Sequence, residues 1–179
     1  HGPGERSYHI FYQLCSFYEK EIGSPADFNY LNQSSDPTSM VVEGVDDSAD
    51  YKATMEAFAN LSFDQNMVEA IEKTLKAILF IGNISFAAND GDNDNGVQII
   101  NGKNNNDALL NAADLLGLDI ISLNRALCTR RISIRNSTTY VRLNESQAVQ
   151  QRDSLARFMY HNIFCYIVEY ANYTLRLPS

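Results

Sequence analysis

Apolar residues spaced three and four positions apart are the feature that most constrains this chain. The spacing is clearest after Asp64, and its members are Met67, Ile71, Leu75, Ile78 and Leu79. It gives a helix an apolar face that other elements must cover. Since Asp64 is placed to cap this helix and Gly82 to end it, the sequence predicts a buried core helix between them.

The same spacing recurs along the chain and predicts further helices near 5–20, 48–60, 107–116, 120–128 and 145–175. The segment 87–106 is rich in Asn, Asp and Gly and is expected to be a mobile loop, interrupted by a short strand at 97–100. Alternation from Arg130 to Asn144 predicts a hairpin that turns at 136–137. We therefore expect one mainly α domain with one or two small β elements.

Composition excludes several classes of function. With 45% hydrophobic residues among 179, the chain can build one sizeable core. Its formal net charge of −8 argues against general binding to nucleic acid, which needs a dominant basic surface. No apolar run approaches the roughly 20 residues of a membrane span, and the start does not resemble a signal peptide. A cytosolic fragment is expected.

Cysteine and histidine usage predicts no disulfide framework and no metal site. Cys15, Cys128 and Cys165 are odd in number and unclustered, so free thiols in a reducing compartment are expected. The acidic run at 90–95 resembles a calcium loop, but Asn95 and Asn101 occupy its glycine and glutamate positions. A solvated loop is the expected structure there.

Catalytic motifs are missing from the sequence. It contains no GxxxxGK[ST] loop, no GxGxxG turn and no GxSxG elbow, so neither a phosphate cradle nor a nucleophile turn is predicted. No catalytic residue is assigned. A self-sufficient small enzyme is therefore the last of the hypotheses.

Arginines are concentrated in one short segment of this acidic chain, at positions Arg125, Arg130, Arg131, Arg135 and Arg142. A strand would present several of them on one side, where they could bind an acidic partner. The alternative is an ordinary solvated hairpin. Ser137, Thr138 and Thr139 follow at the predicted tip, either as an ordinary turn or as a place for phosphate near the arginines.

Five segments resemble the myosin motor domain in their order and spacing. They are GERSYHIFYQLC at 4–15, FNYLNQS at 28–34, ILFIGNISF at 78–86, AADLLGLD at 112–119 and QRDSLARFMYHNIFCYIVEYAN at 151–172. The resemblance implies that residues 1–179 are a partial motor domain, the mainly helical upper 50K subdomain of a larger α/β P-loop fold. In that family this block forms one jaw of the cleft that closes on actin.

The resemblance also implies that the nucleotide site lies elsewhere. In myosins the P-loop and switch I precede the first of these segments, and switch II follows the last helix. The parent is expected to be an actin-activated ATPase that uses ATP and Mg²⁺. The 179 residues alone are expected to bind neither and to hydrolyse nothing, since they lack the groups that position phosphoryl transfer.

Two actin-contacting loops of the family fall inside the chain. The segment 86–107 resembles loop 4, and its lone cation is Lys103, so only weak contact is expected from it. The segment 129–146 resembles the cardiomyopathy loop. Its arginines are the predicted actin-binding residues, namely Arg130, Arg131, Arg135 and Arg142.

Ser137 is the predicted regulatory site. Myosins tend to carry an acidic or phosphorylatable residue sixteen positions before the aspartate that Asp153 matches, and counting back from Asp153 gives Ser137. An uncharged serine there resembles myosins whose actin-activated turnover depends on phosphorylation. Arg135, close upstream, is compatible with a basophilic kinase.

The leading hypothesis is thus the filament-binding part of an ATP-driven, actin-based motor, located in the cytoplasm on the cytoskeleton. Its expected partners are filamentous actin and the remainder of the head, with no nucleic acid and no membrane. The alternative is a stand-alone helical interaction module derived from a myosin head.

Overall fold

The computed structural model describes residues 6–32, 40, 42–89, 96–100, 107–134 and 137–176. Within these residues it confirms a mainly α fold with small β elements. The helices are α1 (His9–Ile22), α2 (Asp47–Asn60), α3 (Gln65–Asn83), α4 (Ala108–Leu116), α5 (Ile120–Cys128) and α6 (Glu145–Arg176). The strands are β1 (Ser85–Ala88), β2 (Val97–Ile100), β3 (Thr129–Ile134) and β4 (Ser137–Arg142).

Contacts between elements divide the chain into two compact units. The first comprises residues 1–79 and 159–179, and the second comprises residues 80–158. The assignment of the whole chain to one motor domain stays a prediction. Each unit has its own buried residues and is described separately.

In the first unit, α1 packs against α2. Leu14 and Cys15 of α1 are completely buried, and Tyr51 of α2 is 1% exposed. Gly23 ends α1 with φ at 105°, a conformation that side chains rarely adopt, and its N–H donates to the Glu19 carbonyl oxygen at 3.0 Å. The helix therefore runs from His9 to Ile22, whereas the sequence predicted 5–20.

Carboxylates cap the next two helices, and the cap by Asp64 was predicted. Asp46 Oδ1 accepts hydrogen bonds from the Ser48 and Ala49 amides at 3.1 and 3.0 Å, and Asp64 Oδ1 accepts one from the Met67 amide at 2.9 Å. These contacts satisfy amides that have no partner inside the helix. At its other end α3 continues through Gly82 to Asn83, one residue beyond the predicted end.

The first unit also holds the second half of α6 by aromatic contacts. The rings of Tyr8 and Tyr160 stack with their centroids 4.3 Å apart, and those of Phe63 and Tyr170 are 4.5 Å apart. The Tyr170 hydroxyl donates to the Ser62 carbonyl oxygen at 3.0 Å. Because a tyrosine combines apolar area with one polar group, these contacts fix both position and orientation.

In the second unit both strand pairs are antiparallel hairpins. Ser85 pairs with Ile100 at one end of β1–β2, and Thr129 pairs with Arg142 at one end of β3–β4. Between them lie α4 and α5, as predicted, and Asp107 and Asp119 cap these helices. Their buried side chains include Leu109, Ala112, Ala113, Leu123 and Leu127.

The sequence did not predict β1. Its four residues are too few to show a clear alternation, and they follow directly on a strongly apolar helix. The strand exists because β2, which was predicted, needs a partner for its backbone groups. The expected loop residues 90–95 and 101–106, including the acidic run, lie outside the described residues.

A buried ion pair anchors the start of α2 in the first unit. Arg6 Nη2 lies 2.7 Å from Asp47 Oδ2, and the two side chains are 4% and 19% exposed. The Arg6 guanidinium also lies over the Tyr12 ring, 3.9 Å from its centroid. Removing one partner of such a pair leaves the other charge buried without compensation, which costs about 3 kcal/mol or more.

We expect Arg6→Ala to lower the free energy of unfolding of the 179-residue chain by about 3 kcal/mol, because Asp47 loses its counter-charge. Urea unfolding followed by circular dichroism measures this. Arg157→Ala is the matched control: Arg157 is exposed on α6, and its loss is expected to change stability by less than about 0.5 kcal/mol. Equal midpoints for the two variants would contradict the role given to the ion pair.

Candidate functional site

The β3–β4 hairpin positions the predicted arginines. Arg130 is opposite Val141, Arg131 is opposite Tyr140, and Arg142 is opposite Thr129. Residues directly opposite each other project from the same face of a sheet, and successive residues project from opposite faces. Arg131 and Arg142 therefore share one face, and Arg130 lies on the other.

The described arginines of the hairpin reach solvent. Arg130, Arg131 and Arg142 are all exposed, so the hairpin presents positive charge on both faces. Arg135 and Lys103, the other two predicted actin-binding residues, lie outside the described residues. The hairpin therefore brings together three of the five cations.

Ser137 is the first residue of β4 and is exposed, so the prediction that it belongs to the turn was wrong. It pairs with position 134, and strand alternation places it on the same face as Thr139, Val141 and hence Arg130. Positions 134 and 130 are four residues apart along β3, which corresponds to about 13 Å. A phosphate on Ser137 would thus share a face with Arg130 and not with Arg131 or Arg142.

Backbone and side-chain hydrogen bonds fix the open end of this hairpin. The Leu143 amide donates to the Cys128 carbonyl oxygen at 2.9 Å, and Leu143 itself is 3% exposed. From the first turns of α6, Gln151 Nε2 donates to the Thr129 carbonyl oxygen at 3.2 Å. The arginines therefore extend from a support held by α5 and α6.

The β1–β2 hairpin is fixed at both ends as well. Beyond the last strand pair, the Asn89 amide donates to the Gly96 carbonyl oxygen at 2.8 Å. At the other end, Arg152 Nη1 of α6 donates to the Ile84 carbonyl oxygen at 2.8 Å. This hairpin carries the two described ends of the segment that resembles loop 4.

Sequence reasoning missed a close contact between the two hairpins, in which the side chain of Arg142 lies against the backbone of Gly96. A glycine directly before a strand was visible in the sequence and indicates a close backbone approach. Its partner was not visible, because 46 positions separate the two residues.

A half-buried carboxylate in the first unit, that of Glu72, was also missed. Glu72 accepts hydrogen bonds from the Tyr51 hydroxyl and from the Tyr18 hydroxyl, the latter at 3.1 and 3.2 Å. Burial raises the pKa of both tyrosines, and the neighbouring carboxylate adds to the effect. Both hydroxyls stay protonated and act as donors, which satisfies a carboxylate that would otherwise be costly to bury.

An apolar cavity of about 180 Å³ lies beside this cluster, lined among others by Leu14, Phe58, Leu75 and Phe164. Pockets that bind ligands combine apolar walls with polar groups free to converge on the ligand. Here Glu72 is already the acceptor for two tyrosines. The cavity is therefore best explained as a packing feature.

Cys15 and Cys128 are not activated as nucleophiles. Burial raises the pKa of Cys15 to about 12, with the Asp27 and Asp47 carboxylates adding to the rise. Burial also raises the pKa of Cys128, although the charge of Arg142 opposes it. Both thiols are thus held in the neutral form. Among the described residues, no three His, Cys, Asp or Glu side chains are placed to hold a metal ion.

None of the helices in the described ranges is both long and apolar enough to cross a membrane.

A mainly helical fold with two hairpins, one of them rich in exposed arginine, fits the family that the sequence resembles. The family model for the myosin head (motor domain) matches residues 1–179. The chain belongs to the myosin head family.

Similarity to individual myosins extends along almost the whole chain. It is 37% identical to myosin-52 of Schizosaccharomyces pombe over 178 residues, 96% of this chain and 11% of the relative. It is 33% identical to myosin-2 of Arabidopsis thaliana, over 97% of this chain and 14% of the relative. It is 32% identical to unconventional myosin-Va of Gallus gallus, over 96% of this chain and 9% of the relative. The chain thus spans between 9% and 14% of the length of these three relatives.

The buried thiol makes stability depend on pH. Cys15 ionises near 9.0 when unfolded and near 12 when folded, so above pH 9 the unfolded state holds fewer protons. The stability that the protonated Cys15 thiol contributes is complete below pH 9 and is lost as pH rises toward 12.

We expect Cys15→Ala to remove a fall of about 1.4 kcal/mol in unfolding free energy between about pH 8 and about pH 10, measured by urea titration. Cys165→Ala is the control. An unchanged fall in the Cys15→Ala variant would refute the assignment.

Proposed function

We propose that this chain is the filament-binding part of an ATP-driven, actin-based motor, equivalent to the upper 50K subdomain of a myosin head. The observation that carries the proposal is the exposed group of arginines on the β3–β4 hairpin of an otherwise acidic chain. Membership of the myosin head family supplies the context.

Electrostatics supports this assignment. The net charge of −8 would by itself repel an acidic filament, so binding requires a local concentration of positive charge. At physiological ionic strength charges are screened beyond about 8 Å, which means that contact is decided by the charges nearest the partner. Arg130 and Arg131 are exposed on opposite faces of the hairpin and can engage an acidic surface over a range of approach angles.

ATP and Mg²⁺ enter this proposal through the parent motor. The nucleotide site would be formed by segments outside the 179 residues, and the described residues would transmit closure on the filament to that site. The segment that resembles loop 4 would add a weaker contact through Lys103. The parent would work in the cytoplasm, associated with the cytoskeleton.

Reversing the charges of the hairpin tests the proposal. In a complete recombinant head, we expect Arg130→Glu with Arg131→Glu to weaken binding to filamentous actin by about tenfold or more at low salt. The loss is expected to shrink as salt increases, because screening reduces the electrostatic contribution. Cosedimentation at several salt concentrations measures both effects.

The control for this experiment is Arg157→Glu with Arg176→Glu, which makes the same change in net charge at exposed positions of α6. It is expected to change actin binding by less than about threefold. If the control weakens binding as much as the hairpin variant, net charge and not the hairpin determines the affinity. If the unmodified head does not bind actin, the proposed function is wrong.

Phosphorylation of Ser137 is the proposed regulation. In the same head, we expect Ser137→Glu to raise actin-activated ATP turnover and Ser137→Ala to leave it low, since the added charge would change how the Arg130 face meets the filament. Thr138→Glu is the matched control, because Thr138 projects from the other face of β4. Equal turnover for Ser137→Glu and Ser137→Ala would eliminate Ser137 as a switch.

A second candidate, a stand-alone interaction module, is favoured by the end of α6. Phe164, Tyr173 and Leu175 are 58%, 62% and 73% exposed there, which is unusual for side chains so apolar. This candidate predicts that the 179 residues are a complete functional unit. The full reading frame decides, because the motor proposal requires coding sequence for a P-loop and both switches on either side.

A further inference from the structure

In the second unit the side chain of Arg142 leaves no room for a side chain at Gly96. A Cβ atom built on Gly96 would lie 2.5 Å from Cδ of Arg142, 3.0 Å from its Cβ and 3.2 Å from its Cγ. Carbon atoms in normal van der Waals contact are about 3.5–4.0 Å apart. The methylene stem of Arg142 therefore lies directly on the backbone of Gly96 and occupies the place of a side chain.

Space, and not backbone conformation, requires glycine at position 96. Its φ lies outside the left-handed region, unlike the φ of Gly23 and Gly117, so alanine could adopt the same backbone angles. Gly96 is buried. The side chain of Arg142 covers Gly96, and a methyl group at position 96 would displace that side chain.

Hydrogen bonds hold both partners in place. The carbonyl oxygen of Gly96 accepts from the Asn89 amide at 2.8 Å, which fixes the end of the first hairpin. Arg142 is paired with Thr129, and the following amide, that of Leu143, donates to the Cys128 carbonyl oxygen at 2.9 Å. The contact thus connects two segments that are each ordered by their own backbone bonds.

We propose that the packing of Arg142 on Gly96 couples the two hairpins, so that the two candidate filament-binding segments form one surface instead of two independent loops. Arg142 is then a positioning residue through its stem as well as a source of charge through its guanidinium. The link to actin rests on the proposed function, but the coupling itself does not.

Amide hydrogen exchange in the complete recombinant head, without actin, tests the coupling. The Asn89 amide reports on the first hairpin and the Leu143 amide on the second. The variants are Gly96→Ala, Arg142→Ala, the double variant and Arg142→Met. Methionine retains most of the stem and removes the charge, so it separates packing from electrostatics.

Coupling predicts that Gly96→Ala speeds exchange at both amides by about fivefold or more. Arg142→Ala is expected to do the same, and the double variant to add little, because residues in contact have non-additive effects. Arg142→Met is expected to exchange like the unmodified head. Arg130→Ala, on the opposite face of the hairpin, is the control and should leave the Asn89 amide unchanged.

The proposal is overturned if Gly96→Ala changes exchange at Asn89 alone, or if the effects of Gly96→Ala and Arg142→Ala simply add. Actin cosedimentation with the same variants then tests the proposed function separately. Coupled exchange with no actin binding by any head would support the coupling and reject the filament role. Uncoupled exchange with normal actin binding would reject the coupling and support the filament role.

Discussion

The burial of the last turns of α3 is the constraint on which the rest of the structure depends. The five consecutive residues from Ala77 to Ile81 are each no more than 5% exposed, so apolar surface must cover every direction around the helix. The polar groups that α3 carries into this environment need partners. Lys76 lies 2.8 Å from Glu21 and over the ring of Tyr18, and Glu72 accepts from two tyrosines. Packing and polar satisfaction thus tie α1 and α2 to the same helix.

The sequence predicts those features of the fold that depend on residues close together in the chain, and not those that depend on distant residues. Helical periods, aspartate caps and the β3–β4 alternation depend on residues close together in the chain, and the structure confirms these elements. Their bounds differ by up to four residues, most at the start of α1, which begins at His9 and not at position 5. The Tyr18 to Glu72 hydrogen bond joins residues 54 positions apart, and no local pattern encodes it. The contact between Gly96 and Arg142 could not be predicted for the same reason, because 46 positions separate the two residues. Packing alone decides which distant side chains meet.

The candidate site shows how an acidic chain can carry a basic surface. A hairpin needs few residues, so charge can be concentrated without altering the composition of the whole. The strand register then determines which side chains share a face of the hairpin. Arg131 and Arg142 lie on one face, and Arg130 and Ser137 lie on the other. The sequence predicted which residues carry charge. Their division between two faces follows only from the pairing of β3 with β4.

Arg142 combines two roles that are usually assigned to different residues. A long arginine buries its methylene groups against apolar or backbone surface while its guanidinium stays in water. Here the stem covers Gly96 and the residue as a whole remains exposed. Loss of binding on replacing it by alanine would therefore not distinguish a missing charge from a misplaced loop. Arg131 shares the face of Arg142, whereas the side-chain atoms nearest to Gly96 all belong to Arg142. Comparing alanine variants at the two positions therefore separates the loss of a charge from the loss of the Gly96 contact.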